Sequence, residues 1–261
     1  MEKSAKLGKL TLLNIILFGF IGQVAWAVEN NFFNTFLFSF GGTTKDISTM
    51  VAASAVVAVV TTFVMGTLSD KLGRRKVFIC AGYVAWGITV MAFAFISREN
   101  LGKLIGADPS SAAALSATVT TVIVMDCIMT FMGSTSNDSA FNAWITDVTV
   151  PSNRAKTEGL LAILPVLALV IVTGVFGFIA GDDAQASDYA TCFLGLGILV
   201  IICGIVGIFT IKDTGSGQKS DGNFFADLIY GFRPSVIKSH KCLYLSLACM
   251  GVYSIASQVF F

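Results

Sequence analysis

Six long apolar runs constrain the fold of this chain more than any other feature of its sequence. They cover approximately residues 10–40, 47–69, 77–96, 115–137, 156–180 and 189–211. An apolar stretch of about 18 residues or more is long enough for a helix to cross the hydrocarbon core of a bilayer. We therefore predict an all-α, polytopic membrane protein.

The composition supports this fold class. Only 13% of the residues are charged, whereas about 25% are charged in an ordinary soluble domain. Most of the protein surface is therefore predicted to face something other than water. The net charge of +1 gives no indication of a nucleic-acid partner.

A polar stretch separates the sixth apolar run from a seventh. We predict a six-helix bundle over residues 1–211, a cytoplasmic linker over 212–240 and the start of a seventh transmembrane helix over 241–261. Residues 222–240 mix aromatic and basic side chains. This segment is predicted to be either an amphipathic helix on the membrane surface or a solvated linker.

The distribution of basic residues predicts the orientation of the bundle. With the N-terminus in the cytoplasm, fourteen of the 17 lysines and arginines lie in segments on the cytoplasmic side. Such an excess is typical of cytoplasmic loops. We predict a multi-pass protein of the cell membrane with a cytoplasmic N-terminus and the lipid bilayer as its solvent.

One carboxylate lies at the centre of the fourth run. A charged side chain at that depth costs about 2.5–3.5 kcal/mol on insertion scales, and such residues usually face a bundle interior or a cavity. At 100° per residue, one narrow stripe contains Asp126, Thr130, Gly133 and Asn137. The stripe is predicted to be a proton, cation or substrate site; the alternative is a protonated or paired structural aspartate.

Polar residues also interrupt the first run. Gln23, Asn30 and Asn34 fall within a narrow arc, with Trp26 beside it and Glu29 about 120° away from Gln23. Amides and an indole suit a hydroxyl-rich ligand, although they also serve as hydrogen-bonding groups between helices. Glu29 is predicted either to bind a coupling cation or to lie near the outer interface.

Small residues and one proline are predicted to shape the fifth and sixth helices. Pro165 should kink the fifth helix. Glycines allow helices to approach closely in lipid, and they are frequent here: Gly174, Gly177, Gly181, Gly195, Gly197, Gly204 and Gly207.

The sequence indicates no enzyme chemistry. Its six cysteines lie within or at the edges of apolar runs and lack metal-ligand spacing. There is one histidine, His240, and neither a nucleophile elbow nor a phosphate loop. We therefore predict a protein that is not an enzyme and has no cofactor and no metal site.

The loop between the second and third runs carries a dense charge cluster, Gly66–Lys76, which reads GTLSDKLGRRK. It resembles the loop signature of the major facilitator superfamily in sequence, in its place after the second span and in its cytoplasmic side. The matching residues are Gly66, Leu68, Asp70, Lys71, Gly73, Arg74, Arg75 and Lys76. Similarly, Asp147 and Arg154, followed by Gly159, resemble the connection after the fourth span in many sugar-transporting members.

The resemblance covers about residues 10–261 and implies two six-helix halves around a central cavity, whose rocking alternates access to it. This chain then supplies the first half and is expected to need a missing C-terminal half or a second copy as partner. The continuation Arg74–Ile79, together with the polar first run, is similar to glycoside–cation and sucrose-type symporters.

From this resemblance we expect a secondary active transporter of the plasma membrane. It would move a small-molecule substrate, a sugar or glycoside, in symport with a coupling proton or cation. Asp126 and Glu29 would bind the coupling ion. One wall of the substrate site would be formed by Gln23, Trp26, Asn30 and Asn34.

A cytoplasmic gate is the second expected site. The gate residues implied by the resemblance are Gly66, Asp70, Gly73, Arg74, Arg75, Asp147 and Arg154. Gly66 is expected to admit a neighbouring helix and Gly73 to permit a tight turn. The alternative function is a non-transporting module: a truncated or decayed transporter half that mediates interactions in the membrane.

Overall fold

The computed structural model describes residues 7–180, 186–213, 224 and 228–260. Six of its helices are long and apolar enough to cross a membrane. We call them spans 1 to 6, in chain order: Lys9–Ser39, Thr44–Leu72, Arg75–Phe95, Ala112–Val148, Pro151–Ile179 and Asp188–Thr210. No strand occurs in the described residues. The predicted all-α, polytopic fold is therefore confirmed.

The chain divides into two units, Met1–Lys219 and Ser220–Phe261. The first unit contains the six spans and an eight-residue connecting helix, Arg98–Ile105, between spans 3 and 4. The second contains a 3-10 turn at Tyr230–Phe232, a short helix at Pro234–Ser239 and a helix at Lys241–Phe260. Residues 214–223 and 225–227, which belong to the predicted linker, lie outside the described residues.

Span 4 extends eleven residues beyond its predicted end at residue 137, because the helix continues to Val148. The polar residues after Gly133 do not terminate it. Instead, Thr135 and Ser136 donate hydrogen bonds to the carbonyl oxygens four residues earlier, at 2.7 and 2.9 Å, a pattern that lets hydroxyl side chains remain inside a helix. Residues Ser134–Phe141 form a π-helix within this span. Asp147, expected in a loop, consequently lies in the last helical turn.

Span 5 is interrupted, as predicted from Pro165. One helix covers Pro151–Leu161 and the next Leu164–Ala180, with a turn at residues 162–163 between them. The proline ring has no N–H and crowds the carbonyl four residues earlier, so a continuous helix through this point is unfavourable.

Glycines form the seam between spans 3 and 6. A Cβ atom on Gly197 would lie 2.6 Å from the carbonyl oxygen of Gly87, and one on Gly204 would lie 2.9 Å from that of Cys80. Gly207 faces Phe18 and Cys80 at similarly short distances. The predicted close packing is therefore confirmed for these three glycines of span 6.

The other glycines predicted to pack closely do not do so among the described residues. No described atom lies within 4 Å of a Cβ built on Gly174, Gly177 or Gly195. Gly181 lies outside the described residues. Gly174, Gly177 and Gly195 therefore do not face another helix of this unit at close range.

Aromatic side chains fill the core where spans 1, 3 and 6 meet. The ring of Phe33 lies 4.5 Å from that of Phe93 and 5.3 Å from that of Phe193, and the Phe36 and Phe193 rings are 5.0 Å apart in an edge-to-face arrangement. All four side chains are buried. Such pairs gain about 0.5–1.5 kcal/mol beyond their area burial, so this cluster fixes the three helices on one another.

The span 3–span 6 seam makes a matched pair of substitutions informative. We expect Gly197→Ala to destabilise the protein by about 1–3 kcal/mol, because the added methyl group would overlap a backbone carbonyl. Gly195→Ala, two residues away, should be close to neutral. Thermal unfolding of the detergent-purified, full-length variants measures both. Equal melting temperatures would show that the seam has room for a methyl group.

Candidate functional site

Two carboxylates from different helices approach each other between spans 1, 2 and 4. Asp126, in the middle of span 4, is 2% exposed and lies near the hydroxyl of Ser54 in span 2, which donates to the carbonyl oxygen of Val51 at 3.3 Å. Glu29 of span 1 is half-buried and accepts a hydrogen bond of 3.1 Å from the hydroxyl of Thr130. Ser54 and Thr130 are themselves buried. The site is therefore built from three helices.

Each of these carboxylates keeps one oxygen without a hydrogen bond. Glu29 Oε2 and Asp126 Oδ1 are both shielded from solvent and have no partner among the described residues. Nor does any described lysine or arginine form an ion pair with either group. A buried carboxylate oxygen with no donor is costly. The two oxygens are therefore a candidate position for a bound proton or another cation.

A chain of hydrogen bonds links span 1 to spans 3 and 4 beside this pair. The indole N–H of Trp26 donates to Asn137 Oδ1 at 3.3 Å, and the Asn137 amide donates to the hydroxyl of Tyr83 at 2.7 Å. That hydroxyl donates in turn to the backbone oxygen of Phe18, also at 2.7 Å. Trp26 also packs against Trp86, with ring centroids 5.0 Å apart.

Two glycines create the space for this polar chain. A Cβ on Gly22 would lie 2.3 Å from the amide nitrogen of Asn137 and 2.8 Å from the Tyr83 hydroxyl. A Cβ on Gly133 would lie within 2.9 Å of both indole rings, those of Trp26 and Trp86. Any larger residue at these positions would push the side chains apart.

The structure adds a third acid that the sequence analysis missed. Asp138 lies in the π-helical part of span 4, accepts a hydrogen bond of 2.9 Å from the Ser134 hydroxyl and also interacts with the indole of Trp26. The signal was present, since Asp138 follows Asn137 directly. It was overlooked because span 4 was predicted to end at residue 137.

The residues of the predicted substrate wall differ in their burial and contacts. Trp26 and Glu29 face span 4, as described above. Asn30 is exposed, whereas Gln23 and Asn34 are half-buried. None of these three amides makes a hydrogen bond within the described residues, so the structure does not join them to the acidic pair. Their substrate-binding role stays a prediction.

Arg75 is the centre of the second candidate site, at the ends of spans 2, 3 and 4. It forms ion pairs with Asp70 of span 2 and with Asp147 of span 4, the latter at 3.2 Å. Its guanidinium also donates to the hydroxyl of Ser69. Arg75 is 8% exposed. One buried guanidinium therefore holds the ends of three spans together.

Gly73 sets the geometry of this loop. It ends span 2 in the left-handed conformation, with φ of 62°, and its N–H donates to the Ser69 carbonyl oxygen at 3.0 Å. Glycine adopts this conformation without steric cost. The tight turn predicted at Gly73 is therefore confirmed, and it brings Arg75 back towards Asp70.

Three of the predicted gate residues lie outside the Arg75 cluster. Arg154 donates to Thr149 and to the carbonyl oxygen of Thr146 at 2.9 Å, and it forms no ion pair with Asp147. Arg74 occupies the N-cap position of span 3, where its side chain makes no capping hydrogen bond, and it pairs with no described acid. No described helix approaches Gly66, which corrects the expected helix contact there within this unit.

The parts of the chain that the structure describes contain no cluster of side chains typical of a divalent metal site. No three histidine, cysteine, aspartate or glutamate side chains there converge as they would around a metal ion. The candidate ligands for a monovalent cation are the carboxylates of Glu29 and Asp126 with the hydroxyls of Ser54 and Thr130.

The comparisons with known proteins agree with the six-span fold. The family model described as Major Facilitator Superfamily matches residues 15–261. No curated protein and no solved structure matches the chain. The chain belongs to the major facilitator superfamily, a family of membrane transporters.

The hydrogen-bonded chain can be tested through its central hydroxyl. We expect Tyr83→Phe to lower the free energy of unfolding by about 1 kcal/mol, because Asn137 and Trp26 lose the group that orients them. Tyr189→Phe is the control, since the buried Tyr189 makes no hydrogen bond in the described residues. Thermal unfolding in detergent compares the two. A larger loss in Tyr189→Phe would contradict the assignment.

The Arg75 cluster leads to a second prediction. We expect Asp70→Asn to leave membrane insertion and orientation intact but to slow transport about tenfold, since one ion pair of the cluster is lost and couplings of 1–3 kcal/mol are typical. Uptake into proteoliposomes measures the rate, and labelling of cysteines introduced into the loops measures orientation.

The control for this experiment removes an ion pair at the other end of the bundle. Glu99 and Lys103 of the connecting helix form an exposed pair at 2.7 Å, so Glu99→Gln should transport normally. Normal transport by Asp70→Asn would contradict a gating role and would show that the charged loop serves only to orient the protein in the membrane.

Proposed function

We propose that this chain is the N-terminal half of a secondary active transporter that carries a small solute, a sugar or glycoside, in symport with protons or cations. The single observation that carries the proposal is the pair formed by Glu29 and Asp126. Two carboxylates meet there with one unbonded, buried oxygen each and no basic partner among the described residues. A bound proton or cation would satisfy both of them.

The coupling ion would enter between spans 1 and 4. A proton would neutralise one carboxylate and remove its repulsion of the other. A monovalent metal ion would instead take oxygen ligands from both carboxylates and from the hydroxyls of Ser54 and Thr130. Either ion removes the electrostatic cost of two like charges at close range.

The neighbouring indole and amide support a hydroxyl-bearing solute. Trp26 is half-buried, so part of its ring remains available for stacking, and aromatic faces suit the apolar face of a sugar. Asp138 and Asn137 lie against the same indole and offer acceptors and a donor for hydroxyl groups. The predicted contacts from Gln23, Asn30 and Asn34 would complete this wall.

Alternating access would require the Arg75 cluster to open. Asp70 and Asp147 belong to spans 2 and 4, the same helices that contribute Ser54 and Asp126 to the acidic site. A movement that separates these spans on one side of the membrane would break the ion pairs of Arg75. A second half, or a second copy of this chain, would complete the cavity, with the N-terminus in the cytoplasm.

The experiment that tests the coupling role changes Asp126. In the full-length protein in proteoliposomes, we expect Asp126→Asn to lose at least about 90% of ion-driven sugar uptake, because an amide cannot take up a proton or neutralise a cation. Solute exchange without an ion gradient should persist. A panel of radiolabelled sugars and glycosides, with a proton or sodium gradient, supplies the assay.

The matched control removes a carboxylate outside the spans. Asp108 is exposed in the connection before span 4, so Asp108→Asn should show wild-type uptake. Normal ion-driven uptake by Asp126→Asn would contradict the coupling role. Absence of uptake by the wild-type protein across the whole panel would contradict the sugar proposal and favour a non-transporting membrane module.

A further inference from the structure

A groove lies on the side of span 4 opposite its acidic stripe. It has a volume of about 630 Å³ and runs between the connecting helix Arg98–Ile105 and span 4. The connecting helix contributes Leu101, Leu104 and Ile105 to its wall, and span 4 contributes residues from Ala113 to Met125. The groove is therefore separate from both candidate sites described above.

The walls of the groove suit a hydrocarbon chain. Leu104 is 80% exposed and Val124 is 51% exposed, so both offer apolar surface to a lipid tail. Apart from Met125, the other lining residues of span 4 are small or carry a hydroxyl group, as do Ser116 and Thr120. Hydroxyls in a helix can hydrogen-bond to carbonyl oxygens of the preceding turn, which makes such a surface compatible with lipid.

The length of the groove matches one leaflet of a bilayer. From Ala113 to Met125, span 4 rises about 18 Å at 1.5 Å per residue. Half of a 30 Å hydrocarbon core is about 15 Å. The groove begins at the end of span 4 that follows the connecting helix, which is the level of the lipid headgroups. An acyl chain entering there would reach the middle of the membrane.

A basic residue with unused hydrogen-bonding capacity lies at the headgroup end. Arg98 Nε is shielded from solvent and has no hydrogen-bond partner among the described residues. Its guanidinium reaches only the Ser111 carbonyl oxygen, at 3.4 Å. Leu101 and Ile105 follow Arg98 by three and seven residues, so all three side chains lie on one face of the connecting helix.

The charges around Arg98 favour an anion. The neighbouring cation, Lys103, is neutralised by Glu99 at 2.7 Å, whereas no described acid pairs with Arg98. A buried guanidinium N–H without an acceptor is costly, and the planar guanidinium fits a phosphate group through paired hydrogen bonds. Arg98 lies at the level of the bilayer phosphates, and one of these phosphates would supply the acceptor that Arg98 lacks.

We propose that this groove binds a bilayer phospholipid, with one acyl chain between the connecting helix and span 4 and the phosphate on Arg98. Because Arg98 has no neutralising partner in the described residues, the site prefers an anionic headgroup to a zwitterionic one. The predicted orientation places the site in the outer leaflet. This inference does not depend on which solute the protein transports.

Native mass spectrometry of the full-length protein tests this site. The protein is released from detergent after incubation with phosphatidylglycerol or phosphatidylcholine of equal chain length. We expect one phosphatidylglycerol to remain bound, with an affinity about tenfold higher than that of phosphatidylcholine. Arg98→Gln should remove this preference, since a hydrogen bond to a charged partner accounts for about that factor.

Two further variants separate the headgroup from the acyl chain. Ala117→Phe fills the groove while leaving Arg98 in place, and it should reduce the retention of both lipids. Lys45→Gln removes an exposed positive charge at the start of span 2, on the same side of the bundle, and should bind lipid like the wild type.

Three outcomes would overturn the proposal. They are equal retention of the two lipids by the wild type, unchanged preference in Arg98→Gln, and unchanged retention in Ala117→Phe. Thermal unfolding of each variant before lipid addition verifies that it is folded. A variant that unfolds is replaced by a milder one, Arg98→Lys or Ala117→Leu. For these, reduced preference and reduced retention respectively support the site, and wild-type values overturn it.

Discussion

A hydrocarbon bilayer offers no hydrogen bonds, and the rest of this structure depends on that constraint. Each polar side chain within the spans must find its partner inside the protein. Trp26, Asn137 and Tyr83 do so by linking spans 1, 4 and 3 in one chain of hydrogen bonds that ends on a backbone carbonyl. Among the buried polar atoms of the described residues that remain unsatisfied, Glu29 Oε2 and Asp126 Oδ1 mark the acidic site and Arg98 Nε marks the phospholipid groove that we propose.

The acidic site and the Arg75 cluster share two helices. Span 4 carries Asp126 near its middle and Asp147 in its last turn, about 32 Å apart along the axis. Span 2 likewise carries Ser54 and Asp70. Under the proposed function, neutralising the acidic pair would change how spans 1, 2 and 4 pack. The ion pairs of Arg75 depend on the same packing, because their acids lie on spans 2 and 4. Rigid helices with two discrete arrangements are a physical means of such coupling.

Much of the fold could be predicted because a helix that crosses the bilayer must be apolar over about 20 residues. The hydropathy of the sequence therefore marks each span. All six spans, the break before Pro165 and the left-handed turn at Gly73 follow from local residue chemistry. The errors have local causes too. The end of span 4 was misplaced because hydroxyl side chains satisfied themselves on the preceding turn, which kept a polar stretch helical. Asp138 was missed for the same reason, and Gly66 faces open space instead of a helix of this unit.

The sequence by itself determined the class of this protein: an all-α membrane bundle with the charged loop of the major facilitator superfamily and a carboxylate at mid-membrane. Those features depend on run length, residue type and spacing. Only the tertiary structure decided which polar groups meet. It placed Glu29 against Thr130 beside Asp126, and it paired Asp147 with Arg75 instead of with Arg154. Such choices depend on how helices distant in sequence rotate and pack, and helical periodicity within one span carries no information about that.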